Sequence, residues 1–234
     1  MKKLLLLFTL LSAAITLAAQ QPQQPREPEP KLLEFQMALL KQGPKPTPSG
    51  WETSELRKQH LAYVRSLLDA DRAMIAGRIE NDSELRGVLI FRTKSADEAR
   101  EWVTADPAVA AGHFTVEMHP WWSEDVMKKT STPEKTTTAY LAFLVRGDKW
   151  TPKSTPETEA IQNAHRANMN RLAEMKKLVV AGPFGDNGTL RGIFVFRVNS
   201  LAEARALANS DPAVQAGRLA LQIHPWVVPD GILP

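Results

Sequence analysis

The chain carries one segment twice, and this limits what it can fold into more than any other feature. Asp106-Pro107-Ala108-Val109-Ala110-Ala111-Gly112 is followed seven residues later by His119-Pro120-Trp121. Asp211-Pro212-Ala213-Val214-Gln215-Ala216-Gly217 and His224-Pro225-Trp226 repeat it at a shift of 105 residues, without a gap. The same shift carries His60 onto His165, Gly77 onto Gly182, Arg86-Gly87 onto Arg191-Gly192 and Glu98-Ala99-Arg100 onto Glu203-Ala204-Arg205. Across 60–121, 23 of 62 positions are identical between the copies. Solenoid repeats have periods of about 20–50 residues. The longer period here divides the 234 residues into two similar domains.

Each copy reads as the same series of elements. Glu34 to Lys41, with Phe35, Met37 and Leu39 alternating, and Tyr140 to Arg146 are strand candidates. A helix over about 53–70 follows, with Thr53 or Ser54 as N-cap; its mate opens at Thr155-Pro156 or Thr158. His60 shares the apolar face of the first helix with Leu56, Val64, Leu67 and Leu68, and His165 shares that of the second with Ile161, Met169 and Leu172. Ala73 to Gly77 and Leu178 to Gly182 are short strands, and Gly87 to Phe91 and Gly192 to Phe196 are central ones. Ser95 and Ser200, each with a glutamate three residues on, predict capping boxes opening a second helix. The last strand runs to His119 or His224, where proline is expected to end its ladder. The class is α+β, as tandem ferredoxin-like β-α-β-β-α-β units.

The N-terminus reads as a secretory leader over 1–19. Lys2 and Lys3 precede sixteen apolar or small residues from Leu4, and Ala18-Ala19 offers a cleavage site. Residues 20–33 form a Pro/Gln-rich linker, the domains run over 34–122 and 139–228, and 123–138 is a polar joint. The expected location is periplasmic or secreted, with no membrane association once the leader is gone. There is no cysteine, so disulfides and thiolate chemistry are excluded. The net charge is only +3, and no basic run interleaves with aromatics, which gives no support to a nucleic-acid partner.

A unit of this order resembles the YCII-related family. The residues that carry the resemblance are the mid-helix histidine, the strand ending Ala-Gly, the Ser-x-x-Glu-Ala helix and Asp-Pro-x-Val-x-Ala-Gly before a last strand closing in Pro-aromatic. It covers about 34–122 and 139–227. It implies a dimeric α/β-barrel, here made within one chain as an intramolecular pseudo-dimer, with a pocket between sheet and helices. Further oligomerisation stays open. It also implies a dyad of helix histidine and Asp-Pro aspartate, namely His60 with Asp106 and His165 with Asp211. Some relatives eliminate from or isomerise small ring-derived molecules. Pro183 keeps the proline usual after Ala-Gly and Arg78 does not, which makes the second copy the better candidate if one site works.

Each candidate has two readings. A histidine on a buried helix stripe needs a hydrogen-bond partner, since an orphaned polar group costs about 1–3 kcal/mol. A carboxylate 46 residues on supplies it, either as a core strut or as the orienting half of an acid/base pair. Asp106 and Asp211 precede proline and are equally turn or cap residues. His119 and His224 are rim or packing residues. Arg86 and Arg191 either bind a substrate carboxylate or make surface ion pairs. Trp121 and Trp226 either fill a core or wall a pocket for a flat ligand. No metal motif, phosphate loop or dinucleotide fingerprint is present. The functional expectation is a cofactor-free acid/base enzyme acting on a small organic molecule, or a non-catalytic small-molecule-binding or interaction module with the same residues as struts.

Overall fold

The computed structural model describes residues 31–46, 50–128 and 135–234. The predicted leader and nearly all of the Pro/Gln-rich linker lie outside them. The first repeat comprises β1 (Leu33–Gln42), a 3-10 turn (Trp51–Thr53), α1 (Glu55–Asp69), β2 (Ala73–Ile79), β3 (Leu85–Phe91), α2 (Ala96–Thr104), α3 (Pro107–Ala110) and β4 (Phe114–Ser123). The second comprises β5 (Thr136–Arg146), α4 (Pro156–Glu174), β6 (Leu178–Pro183), β7 (Leu190–Phe196), α5 (Leu201–Asn209), α6 (Pro212–Gln215) and β8 (Leu219–Pro229).

Local chemistry accounts for most boundaries. Ser54 caps α1 by accepting from the Arg57 amide, and Thr155 with Thr158 makes a reciprocal box that opens α4. Only half of the box predicted at Ser95 and Ser200 forms. Each serine accepts from the glutamate amide, but Glu98 takes the Thr93 hydroxyl instead and Glu203 takes the Asn199 amide. The Asp-Pro motif is a further one-turn helix rather than a bare turn. Asp106 and Asp211 are its N-caps, proline stands at the first position, and Gly112 and Gly217 follow it at φ 81° and 73°. That arrangement uses proline and glycine where each is least strained.

The eight strands form one antiparallel sheet in the order β4-β1-β3-β2-β8-β5-β7-β6. β2 joins β8 through Arg78↔Val227 and Ile79↔Trp226, and the free edges approach through the bridge Trp121↔Phe184. The two junctions are equivalent under the repeat shift. The Glu80 amide donates to the Pro225 carbonyl (3.0 Å), and the Gly185 amide donates to the Pro120 carbonyl (2.8 Å). The sheet therefore curls into an α/β-barrel. Pro120 and Pro225 do not end their strands, contrary to the sequence reading. Each sits within the ladder of its repeat's last strand and offers its carbonyl to the junction.

Both faces of the sheet are buried. Met37, Leu39, Val88 and Ile90 meet Leu141, Phe143, Ile193 and Val195 in one core on the concave side. The alternate positions, Ala38, Leu40, Leu89 and Phe91, pack under α1 to α3. Their counterparts Ala142, Leu144, Phe194 and Phe196 pack under α4 to α6. The described part of the joint is less solvated than expected. Met127 is buried beside Ile232 and Leu233 in the concave core, and Asp125 pairs with Arg92 at 2.6 Å.

Glycine permits the two junctions. A Cβ on Gly77 would stand 2.3 Å from Trp226 Nε1, and one on Gly182 would stand 1.9 Å from the Trp122 carbonyl oxygen. Gly77→Ala and Gly182→Ala are each expected to destabilise the fold by about 1–3 kcal/mol through overpacking. That lowers the melting temperature by roughly 2–4 °C per kcal/mol. Melts unchanged from wild type would show that the junctions are not tight.

The junctions also carry ion pairs between repeats. His119 Nδ1 lies 2.6 Å from Asp186 and its Nε2 3.0 Å from Glu117, while His224 Nδ1 lies 3.1 Å from Asp82. Burial holds His224 below its ordinary value, against the Asp82 charge. Burial raises Asp82, but the Leu85 and Glu84 amides and the His224 charge outweigh it and leave the carboxyl low. Both shifts act in one direction. The unfolded state binds more protons as pH falls, so stability is full above the ordinary histidine range. It declines first below about pH 6.5 and again through the carboxylate range. Thermal melts from about pH 7.5 to 4 should show this decline, with its upper limb flattened in His224→Gln; a pH-independent wild-type curve contradicts it.

Candidate functional site

Helices α1 and α4 each turn one histidine toward the one-turn helix of the same repeat. His60 Nδ1 is 2.7 Å from Asp106 Oδ2, and His165 Nδ1 is 2.8 and 2.9 Å from the two oxygens of Asp211. Each aspartate does a second job. Asp106 Oδ1 accepts from the Ala108 amide at 2.8 Å, and Asp211 Oδ1 from the Ala213 amide at 2.9 Å. The cap fixes the carboxylate, and the carboxylate fixes the imidazole. A carboxylate only accepts, so Nδ1 carries the proton and the Nε2 lone pair remains for other work. Neither Nε2 has a hydrogen-bond partner among the described residues.

The repeats differ around this shared dyad. At the second, Asp211 is fully buried and also accepts from Asn168 Nδ2 at 3.3 Å. Arg171 donates to Asn168 Oδ1 at 2.7 Å, and the His165 ring stacks on Phe194 at 5.8 Å. At the first, Tyr63 stands in place of Asn168 and donates its hydroxyl to the Trp102 carbonyl at 2.8 Å. Burial, with the Asp106 charge behind it, pushes the Tyr63 phenol above its ordinary value. The turn Trp51–Thr53 replaces the first turn of α4, and Trp51 and Phe114 flank the His60 ring at 6.4 and 5.6 Å.

His60 lines a cleft of about 540 Å³ between α1, the outer ends of β2 and β3, and the end of β8. Trp51, Val64 and Leu89 give it apolar walls, and Val227 and Val228 come from the other repeat. Arg57, Arg65, Arg78 and Arg86 also line it, against two acidic residues, Glu52 and Asp69. Arg57 is paired to Glu52 at 3.1 Å and Arg78 to Glu80 at 2.8 Å. Arg86 donates to the Asp82 carbonyl, at 3.4 Å. The wall is cationic, which suits an anionic small molecule.

The structure places the candidates read from sequence unevenly. His60 and Arg86 share the cleft. His165 and Asp211 form the more enclosed pair, and at the first repeat residues 51–53 are a 3-10 turn where the second begins its helix. Arg191, the counterpart of Arg86, lies against Trp150 instead. Trp121 and Trp226 do not line this cleft. Both are fully buried at the junctions, where the glycines receive them. His119 and His224 tie the junctions together. Sequence reasoning missed Asn168, although it lies three residues after His165 on the same helix face, where an asparagine is as unusual as a histidine. Among the described residues no three histidine, aspartate or glutamate side chains converge as a metal site requires.

Comparison with known proteins agrees with this architecture. The curated relative YjpA of Bacillus subtilis (strain 168), an uncharacterized protein, is 34% identical over 76 residues, covering 31% of this chain and 87% of that one. A mutant chlorite dismutase from Candidatus Nitrospira defluvii superposes with a TM-score of 0.54 at 11% identity, over 85% of this chain and 92% of that one. A heme-binding protein from Thermus thermophilus superposes with a TM-score of 0.52 at 15% identity, over 87% and 94%. At such identities the likeness is one of fold, the dimeric α/β-barrel. The YCII-related domain matches over 35–121 and again over 142–227, and the chain belongs to that family as two tandem copies.

Proposed function

We propose that the first repeat houses a cofactor-free acid/base site for a small anionic organic molecule, with His60 as the base. The observation that carries this is one imidazole meeting two conditions. Its Nδ1 is committed to Asp106 at 2.7 Å, and its ring lines a cationic cleft of about 540 Å³. Arg86, with its neighbours, holds the substrate carboxylate, and Trp51 covers the apolar part. His60 Nε2 takes a proton from the carbon beside an electron-withdrawing group. The C–H electron pair then forms the new double bond. In an elimination the leaving group departs with its bonding electrons; in an isomerisation the imidazolium returns the proton to a different carbon. Asp106 keeps its charge throughout and stabilises the imidazolium that forms.

A second reading uses the same atoms. A free Nε2 on an imidazole backed by a carboxylate is the donor arrangement with which a protein holds heme iron, and one structural relative is named for heme binding. His60 would be the ligand, and the group would supply redox chemistry. The acid/base reading uses none of it.

The test is proton–deuterium exchange, followed by NMR in D2O, on a panel of small enolisable and β-halogenated carboxylic acids, with hemin titration run in parallel. Wild type should exchange at least one of them. His60→Gln should lose roughly 10²–10⁴-fold, the usual contribution of a positioned base, with its melting temperature nearly kept. Arg86→Gln should raise KM more than it lowers kcat, as expected for a group holding the carboxylate equally in ground and transition state. If the acids bind but none exchanges above the His60→Gln background, the site is a binding module. A stoichiometric hemin spectrum that depends on His60 would favour the second reading.

A further inference from the structure

The second repeat carries a cluster that the His–Asp chemistry does not use. The guanidinium carbons of Arg146, Arg191 and Arg218 lie 5.6, 4.7 and 5.3 Å from the centre of the Trp150 ring. They come from the end of β5, the start of β7 and the residue before β8, so the barrel assembles them from three separate places. None has a carboxylate partner among the described residues. Arg146 donates to the Asn187 carbonyl at 2.5 Å, Arg191 to the Asp186 carbonyl at 3.3 Å and Arg218 to the Thr151 carbonyl at 3.1 Å. Arg191 Nε is buried with no acceptor. Asp186, whose charge reaches Arg191, has one carboxylate oxygen on His119 at 2.6 Å and the other on the Gly188 amide at 3.2 Å.

The fold does not demand this arrangement. In the first repeat the strand registers place Gln42 where Arg146 stands, and the repeat shift places His113 where Arg218 stands. Only the arginine at 86 and 191 is common to both. The second repeat thus holds two further cations around the shared one, where their mutual repulsion works against folding. Burial, and then the Arg146 charge, disfavour the protonated form of Arg191. Three planar forks, gathered around one indole ring and held by backbone carbonyls, leave N–H groups unspent, which is how proteins bind oxyanions.

We propose that Arg146, Arg191 and Arg218, gathered around Trp150, form a binding site for a small multiply charged oxyanion, a phosphate or dicarboxylate group. Occupancy relieves the repulsion among the three cations. The site stands apart from the acid/base reading, because it involves neither His60 nor Asp106.

The test is an NMR titration of the whole chain, following the Arg191 Nε–H and Trp150 indole N–H signals, first with inorganic phosphate and then with succinate. Wild type should show saturable shifts with one of the two, weakening as sodium chloride is raised. Arg191→Gln and Arg218→Gln should each weaken binding about tenfold or more, as expected for a lost charge-assisted contact. Arg86→Gln and His60→Gln should leave it unchanged. The His60→Gln arm separates failure here from failure of the proposed acid/base site. No saturation up to tens of millimolar, or equal weakening by Arg86→Gln, would overturn the proposal. If Arg218→Gln raises the melting temperature without changing an already absent titration, the cluster is only a packed surface.

Discussion

The rest of the structure depends on two close approaches, Gly77 against Trp226 and Gly182 against Trp121 and Trp122. At each junction a strand of one repeat lies across the end of a strand of the other, with backbone hydrogen bonds at 3.0 and 2.8 Å. A side chain larger than hydrogen at either glycine would hold the strands apart. With the junctions closed, each repeat's concave face is buried against the other's, and the two largest fully buried side chains fill the ends of that core. Either repeat alone would leave this face in water, and here the second copy covers it within one chain.

The same closure builds the cleft. Val227, Val228 and Pro229 on β8 line one side of a space whose histidine and arginines belong to the first repeat. Site and barrel are therefore coupled. The dyad itself rests on a smaller economy, in which one carboxylate caps a one-turn helix and orients an imidazole 46 residues earlier in the chain. Those jobs are compatible because a carboxylate has two oxygens, and at Asp106 each takes one.

Duplication let the repeats diverge. The first has a 3-10 turn with Trp51 where the second has a helical turn, and its histidine lines a cleft. The second kept the longer helix, surrounded Asp211 with Asn168 and Arg171, and gathered three arginines on Trp150. What the sequence made legible was whatever both copies share. The element order and the short buried strands follow from period, caps and the 105-residue shift, and the histidine–aspartate pairing from the family resemblance. What it hid was whatever depends on one copy or on contacts between copies. The role of Trp121 and Trp226 is set by glycines on the opposite repeat, so no local pattern marks it. Pro120 and Pro225 read as strand ends because the strand across the junction, which uses their carbonyls, is distant in sequence. What surrounds each histidine, Trp51 and Phe114 at His60 and Phe194 at His165, belongs to one copy and is not marked by the shared motif.

The central claim is that Asp106 fixes His60 through Nδ1 at the wall of the cleft and leaves Nε2 as its unprotonated nitrogen. Nitrogen-15 NMR of the histidine side chains, in wild type and in Asp106→Asn, tests it most directly. The account predicts that neutral His60 is the Nδ1–H tautomer and that this preference is lost when Asp106 becomes asparagine. An Nε2–H tautomer in wild type, or a tautomer unchanged by Asp106→Asn, would contradict it.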